Sequence, residues 1–280
     1  MDLHGKTTVI TGGASGIGLA TAIQFSKAGA NIVLGDIEDG PLQTQVEEMR
    51  GHGAKVIGVH CDVAKESDVE GLRDAALKEF GAAHLIFNNA GVGSGPTIGT
   101  PKKIWDWVMS VNLDGVVNGI NAFVPLFLEQ NEGYVVNTAS EAGLVGVAGM
   151  GPYTASKFAV VGVSESLFNE LANTGKNVHV SVLCPRFVRT RINESGRNMP
   201  KELEGYGERP ENLEMGKVLS AMVEGGIDAK DVAAAVEDAV ANEKFWILTH
   251  EHSAIRITEL RLDWMRGGPS PASSRLREKP

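Results

Sequence analysis

The chain has 280 residues, 42% hydrophobic and 22% charged, with a formal net charge of −9; this is the make-up of an ordinary soluble globular protein. The acidic balance argues against a nucleic-acid partner, which needs clustered Lys and Arg. Two cysteines, Cys61 and Cys184, are too few for a disulfide framework and show no zinc spacing, so they read as buried free thiols and no metal is expected.

Short apolar runs rich in Val and Ile alternate with longer amphipathic stretches. The runs at 7–10, 31–34, 55–60, 84–87, 134–137, 178–183 and 245–248 are near-continuous, as strands covered on both faces are. Helical patterns over 16–28, 41–51, 66–80, 102–128, 153–173 and 229–241 separate them. This predicts an α/β fold, a doubly wound, mostly parallel seven-stranded sheet with helices on both faces. The 102–128 helix is apolar nearly all round, from Trp105 to Phe127. Such a helix is buried on most sides, which points to a second subunit.

The segment 189–226 is polar and broken by Gly196, Pro200, Gly205, Gly207 and Pro210. It reads as a mobile lid, with Leu203 and Tyr206 as candidate substrate contacts. One more helical pattern covers 253–266, before a Gly/Pro/Ser-rich tail. The expected organisation is one domain over 1–266 and a flexible tail over 267–280. The start carries an acid and no apolar run, so it does not read as a secretory signal. No stretch reaches about 18 apolar residues, so no membrane span is expected. The protein is expected to be cytoplasmic.

The first strand runs into Thr11-Gly12-Gly13-Ala14-Ser15-Gly16-Ile17-Gly18, and a helix follows. Glycines let a backbone turn sharply beside a pyrophosphate, and a helix N-terminus offers it free N–H groups. By itself the cluster also fits a tight turn. The second strand ends at Asp36, followed by Ile37. A carboxylate there can accept both ribose hydroxyls of an adenosine and repels a 2′-phosphate. No basic residue stands in the glycine loop or directly after Asp36. The predicted cofactor is therefore NAD.

Tyr153 and Lys157 stand four apart at the start of a helix, on one face. An ammonium near a phenol favours the phenolate, which makes a usable proton donor and acceptor. An ordinary exposed pair would look the same. Ser140 follows the fifth strand, where a hydroxyl can donate to a carbonyl oxygen gaining charge. Asn112 lies inside an apolar helical pattern. It reads either as a satisfied core amide or as a backbone kink holding a water. Leu144, Val145, Val147 and Met150 follow Ser140. They would line an apolar pocket for a hydrophobic secondary alcohol of aryl, terpenoid or steroid-like kind.

Taken together, these residues resemble the short-chain dehydrogenase/reductase family over about residues 5–250. The matching elements are the glycine loop, Asp62-Val63, Asn88-Asn89-Ala90-Gly91, Asn112, Ser140, Tyr153-x-x-x-Lys157 and Pro185. The resemblance implies a Rossmann-fold oxidoreductase that moves a hydride between NAD(H) and a small-molecule alcohol or ketone. Tyr153 would exchange the proton, Ser140 hold the substrate oxygen, and Lys157 lower the tyrosine pKa and bind the nicotinamide ribose. Asn112 would anchor a water relay to Lys157. Asp62 and Val63 would hold the adenine, with Asn89, Ala90 and Gly91 shaping the cofactor wall. Val188 and Thr190 would meet the nicotinamide carboxamide and phosphate. A homodimer or homotetramer is also implied. Two residues depart from the pattern, Arg186 where glycine is usual after Pro185, and Glu141 where a small residue is usual after Ser140. The alternatives are a sugar-nucleotide epimerase-like enzyme and a non-catalytic nucleotide-binding regulatory member of the same fold.

Overall fold

A computed structural model describes residues 1–93, 95–203, 205–206 and 210–271, without side-chain detail over 210–215. The strands are β1 (Thr7–Thr11), β2 (Asn31–Asp36), β3 (Val56–His60), β4 (Leu85–Asn88), β5 (Gly133–Thr138), β6 (Val178–Leu183) and β7 (Trp246–Ile247). The first helices are α1 (Gly16–Lys27), α2 (Asp39–Gly51), α3 (Glu66–Phe80), α4 (Lys102–Met109) and α5 (Gly115–Gln130). They are followed by α6 (Gly151–Ala172), α7 (Pro210–Glu224), α8 (Ala229–Ala241) and α9 (Glu251–Met265).

All seven strands are parallel, in the order β3-β2-β1-β4-β5-β6-β7. This is the doubly wound sheet that the strand–helix alternation predicts. Successive side chains on a strand serve opposite faces. Ile10, Leu34, Phe87 and Val136 enter the core under α1, α2 and α8. Val9, Val33, Ile86 and Val135 enter the core under α3, α5 and α6. The strand order reverses between β1 and β4, which opens a crevice outside their carboxyl ends.

Two elements differ from expectation. The helix expected over 102–128 is interrupted by a π-helical turn, Ser110–Asp114. Asn112 pins it, exchanging hydrogen bonds with both backbone polar groups of Val92 at 2.8 and 3.0 Å. The whole stretch Lys102–Gln130 has the length and hydropathy of a membrane span, although the sequence shows no unbroken apolar run. Val108, Val116, Phe123 and Phe127 are nevertheless buried inside this one chain. The apolar circumference of the helix therefore does not by itself call for a second subunit.

The segment 189–226 is the other difference. It holds 3-10 turns at Ile192–Asn198 and Lys201–Leu203 and then the helix α7. Pro210 at the first position is compatible with a helix start, yet beside the glycines it reads in the sequence as a breaker. Of the tail expected over 267–280, residues 272–280 lie outside the described residues.

Phe127 is fully buried. Gly133 leaves room for its ring, since a Cβ there would lie 2.2 Å from Phe127 Cγ. Phe127→Ala should lower unfolding free energy by about 3–5 kcal/mol, measured by chemical denaturation.

Candidate active site

One continuous cleft of about 1190 Å³ runs along the carboxyl edge of the sheet. Single ligand pockets are usually about 300–1,000 Å³, so this one has room for a dinucleotide and a substrate. At one end lie Gly12, Ser15, Gly16, Ile17, Asp36, Ile37, Asp62 and Val63. Asn89, Ala90 and Gly91 line the middle, and Ser140, Tyr153, Lys157 and Pro185 the other end. Val188 and Thr190 also line the cleft, Thr190 against the glycine loop, where a Cβ on Gly16 would lie 3.1 Å from Thr190 Cγ2.

The glycine loop is shaped by close approach. Gly12 has φ +64°, and a Cβ there would lie 3.0 Å from Ala90 Cα. Gly18 does not line the cleft; a Cβ on it would lie 2.3 Å from the Gly12 carbonyl oxygen, so it lets α1 pack against the loop. Asn89 Nδ2 donates to Thr11 O at 3.0 Å and ties β4 to the loop. No side chain caps the N-terminus of α1 at Ser15 and no acid stands in its first turn. These features suit an anion.

Asp36, at the end of β2, is bonded to that loop. Its Oδ2 accepts from Ala14 N at 2.9 Å and its Oδ1 from Glu38 N at 3.0 Å. Burial pushes its carboxyl up, against the pull of these backbone donors. Each oxygen keeps a lone pair for a ribose hydroxyl. Asp62 turns back on its own loop, accepting from Ala64 N at 3.2 Å. Val63 packs where Gly115 leaves room.

At the far end, Ser140 caps the 3-10 turn Glu141–Gly143, accepting from Ala142 N at 3.1 Å. Its hydroxyl is hydrogen-bonded to Tyr153, in the first turn of α6. Lys157 is 3% exposed and donates to Thr138 O at 2.7 Å. Burial pushes the Tyr153 phenol above its ordinary range, and the Ser140 bond opposes the rise. The ammonium lies 5.6 Å from the phenol's ring centroid. Among the protein's own groups, then, burial dominates, not the lowering expected from Lys157. Burial also pushes the Lys157 ammonium down to about 8.

Asn112 does not line the cleft. Its Nδ2 also donates to Ser156 Oγ at 3.0 Å, and Ser156 Oγ donates to Tyr153 O at 2.7 Å. Asn112 is thus a satisfied core amide, and it sits in a π-helical kink. Ser156 is a link the sequence did not flag, because a small hydroxyl in a helix carries no pattern.

Val145, Val147, Met150 and Tyr206 reach the cleft, and Trp107 and Met199 join them. Leu144 and Leu203 do not. Leu144 packs with Val160 and Val161 of α6, and Leu203 with Ile104 and Trp107 under α4. The 189–226 segment is anchored to this wall, with Gly93 N donating to Ser195 Oγ at 2.9 Å and Tyr206 OH 2.7 Å from Thr100 Oγ1.

The two departures, Glu141 and Arg186, prove to be neighbours. Arg186 Nε lies 3.8 Å from Glu141 Oε2, and Ser253 of α9 donates to the same oxygen at 3.2 Å. Glu141 N also donates to Pro185 O at 2.9 Å. The pair therefore joins the Ser140 turn, the Pro185 loop and the C-terminal helix.

The fold and the cleft define a nucleotide-binding oxidoreductase of the doubly wound class. The short chain dehydrogenase family matches residues 6–201, and the chain belongs to that family, as an oxidoreductase acting on CH–OH groups. It is 38% identical over 212 residues to 3beta-hydroxysteroid dehydrogenase 2 of Eggerthella lenta, covering 73% of this chain and 81% of that protein. It is 33% identical over 267 residues to 1-deoxy-11-beta-hydroxypentalenate dehydrogenase of Streptomyces exfoliatus, covering 92% and 88%. Among solved structures it resembles a short chain dehydrogenase/reductase from Burkholderia phymatum in complex with NAD. That likeness has a TM-score of 0.92 and 40% identity, covering 96% of this chain and 97% of that one.

Lys157 gives a test of the burial argument. Below about pH 8 the folded state carries a buried charge that the unfolded chain carries in water, which lowers stability. As pH rises from about 8 toward 10.5, the unfolded chain holds more protons than the folded one, and stability rises. Lys157→Met should therefore melt above the parent at about pH 7, roughly 2–4 °C per kcal/mol gained. Scanning calorimetry should show the gap closing toward about pH 10.

Proposed function

We propose that the protein transfers a hydride between NAD(H) and a bulky, hydrophobic secondary alcohol or ketone, with Tyr153 as the general acid and base. The observation that carries this reading is the cleft itself. It joins an uncapped glycine-loop helix and Asp36 at one end to Ser140, Tyr153 and Lys157 at the other. A bound nicotinamide would supply the hydride acceptor for oxidation of the alcohol and the hydride donor for reduction of the ketone.

The remaining steps belong to the chain. Ser140 and Tyr153 share a hydrogen bond, so both can address one substrate oxygen. In reduction Tyr153 gives its proton to that oxygen while Ser140 donates to it; in oxidation Tyr153 receives the proton. Lys157 has three N–H donors. One is taken by Thr138 O, which leaves two that would be available to a cofactor ribose and to the phenolate. Asn112 acts as a positioning residue through Ser156 and the backbone of Tyr153. Both its N–H donors are engaged and its Oδ1 accepts from Val92 N, so a water relay would start from the remaining Oδ1 lone pair or from the backbone of the π turn. Val188 and Thr190 would meet the nicotinamide carboxamide and the phosphate, Thr190 standing beside Gly16 of the glycine loop, and Asp62 and Val63 would hold the adenine.

Substrate character follows from the lining. Trp107, Val145, Val147, Met150 and Met199 line the cleft that Tyr153 lines, and apolar walls with few polar fixers favour apolar ligands. The hydroxysteroid in one relative's name supports the same class.

Tyr153→Phe keeps the packing ring and removes the transferable proton. Turnover should fall about 100–10,000-fold while NADH still binds by fluorescence titration. A loss of only a few-fold would assign the proton to another group.

Asp36 should make kcat/KM larger for NAD than for NADP. Its carboxylate can accept the ribose diol, at roughly 1.5–3 kcal/mol per charge-assisted bond. It would also face a 2′-phosphate, where like charges at about 4 Å cost about 4 kcal/mol at an effective dielectric of about 20. Asp36→Ala should weaken NAD and narrow the gap. Equal use of both cofactors by the parent enzyme would remove Asp36 from this role.

A further inference from the structure

Two arginines absent from the glycine loop arrive at the adenosine end by another route. Glu38 stands just past Asp36, and its N–H is one of the donors to Asp36. Its side chain reaches across the cleft to the 3-10 turn Ile192–Asn198. Arg197 Nε donates to Glu38 Oε1 at 2.7 Å, Asn198 Nδ2 donates to the same oxygen at 2.9 Å, and Arg191 Nη1 lies 3.9 Å from Oε2. Arg197 Nη1 also donates to Arg191 O at 3.1 Å, which keeps the two arginines together. Glu38, Arg191, Arg197 and Asn198 all line the cleft that Asp36 lines.

The contact is more than a loose surface pair. The Glu38 side chain is 19% exposed and that of Arg197 27%, so water screens it only partly. Burial pushes the Glu38 carboxyl up, but the Asn198 amide and the Arg197 guanidinium outweigh it and hold the carboxyl below its ordinary range. Arg191 has a second carboxylate, Glu194 Oε2 at 2.7 Å. Arg197 faces Glu38 as its ion-pair partner among the described residues.

We propose that Glu38 latches the 3-10 turn Ile192–Asn198 over the adenosine end of the cleft, slowing release of the dinucleotide and keeping Arg197 from serving a 2′-phosphate. The proposal rests on the reading of this cleft as the NAD site. Its physics is that of a bound ligand under a strap. Release requires the strap to lift, and lifting it separates a partly buried, charge-assisted contact. The same carboxylate adds a second negative charge beside Asp36 and neutralises Arg197. Removing its charge changes both terms in one direction, toward a phosphorylated ribose.

The test measures binding rather than turnover. NADH release is followed by stopped-flow fluorescence, and NADH and NADPH affinities by fluorescence titration. The variants are Glu38→Gln, Arg197→Ala, their double, and Asp36→Ala. Glu38→Gln should release NADH about tenfold faster, the ratio that about 1.4 kcal/mol produces, and should bind NADPH more tightly than the parent. Arg197→Ala should release NADH faster by a similar factor without gaining NADPH affinity. The double variant should release NADH no faster than either single one, because both remove one contact. High salt should speed release from the parent and leave Glu38→Gln nearly unchanged.

An unchanged release rate in Glu38→Gln overturns the latch, as does a double variant whose effect is the product of the two single ones. NADPH binding no tighter than in the parent also overturns the proposal. The Asp36→Ala variant separates this failure from a deeper one. If it weakens NADH binding while Glu38→Gln does nothing, the cleft is the cofactor site and the latch is wrong. If Asp36→Ala leaves NADH binding untouched, the reading of the site itself falls.

Discussion

The ammonium of Lys157 is buried and bonded to Thr138 O. A buried charge is expensive unless it is held by hydrogen bonds, and the surrounding site is built to hold this one in place. The π turn pins Asn112 to Val92, Asn112 holds Ser156, and Ser156 holds the backbone of Tyr153 at the start of α6. β5 supplies Thr138 and, just beyond it, Ser140. The phenol, the serine hydroxyl and the ammonium meet because two neighbouring elements, one strand end and one helix start, are locked to each other through polar side chains. Behind them Asn88, Asn137 and Ser164 continue the chain of buried hydrogen bonds from β4 to α6. Such a network rigidifies what it satisfies.

The parallel sheet explains why both ends of the cleft lie on one edge. Every strand delivers its carboxyl end to the same side, so the glycine loop after β1, Asp36 on β2, Asn89 after β4 and Ser140 after β5 share one crevice without any loop having to travel. The elements that come later in the chain work differently. The 189–226 segment reaches back over the crevice to Gly93, Thr100 and Glu38. The helix α9 reaches the Ser140 turn through Ser253 and Arg261, the latter within 3.5 Å of Leu144 O. The C-terminal part of the chain thus acts as a cover on a frame made by the N-terminal part. Glu141 and Arg186 are intelligible as part of that cover: a charge pair at the join of frame, loop and final helix.

The two cysteines take no visible part in this chemistry. Both are buried free thiols, and burial pushes each to about 12. Cys184 lies close enough to Tyr153 and Lys157 to influence both, but as a neutral thiol at ordinary pH it acts as packing.

By itself the sequence determined the sheet, because near-continuous Val/Ile runs and a 3.6-residue helical period are local signals that burial then reinforces. It also determined which side chains stand at strand ends and helix starts, while joining Ser140, Tyr153, Lys157 and Asp36 into one site took the family resemblance as well. Only the tertiary structure decided what depends on residues distant in the chain. The π turn at Asn112 arises from a bond to Val92, twenty residues away. The helix α7 is hidden in a polar stretch with Pro210 and Gly216, whose local propensities read as loop. Leu144 and Leu203 turn from the cleft because packing, not hydrophobicity, chooses the side of a turn on which a leucine lies. Arg197 meets Glu38 across 159 residues, and Glu141 meets Arg186 only because β5 and β6 are neighbours. A pairing between side chains carries no local signature when each half is individually compatible with an exposed charge. The fold brings the halves together, and their meaning lies in the distance between them.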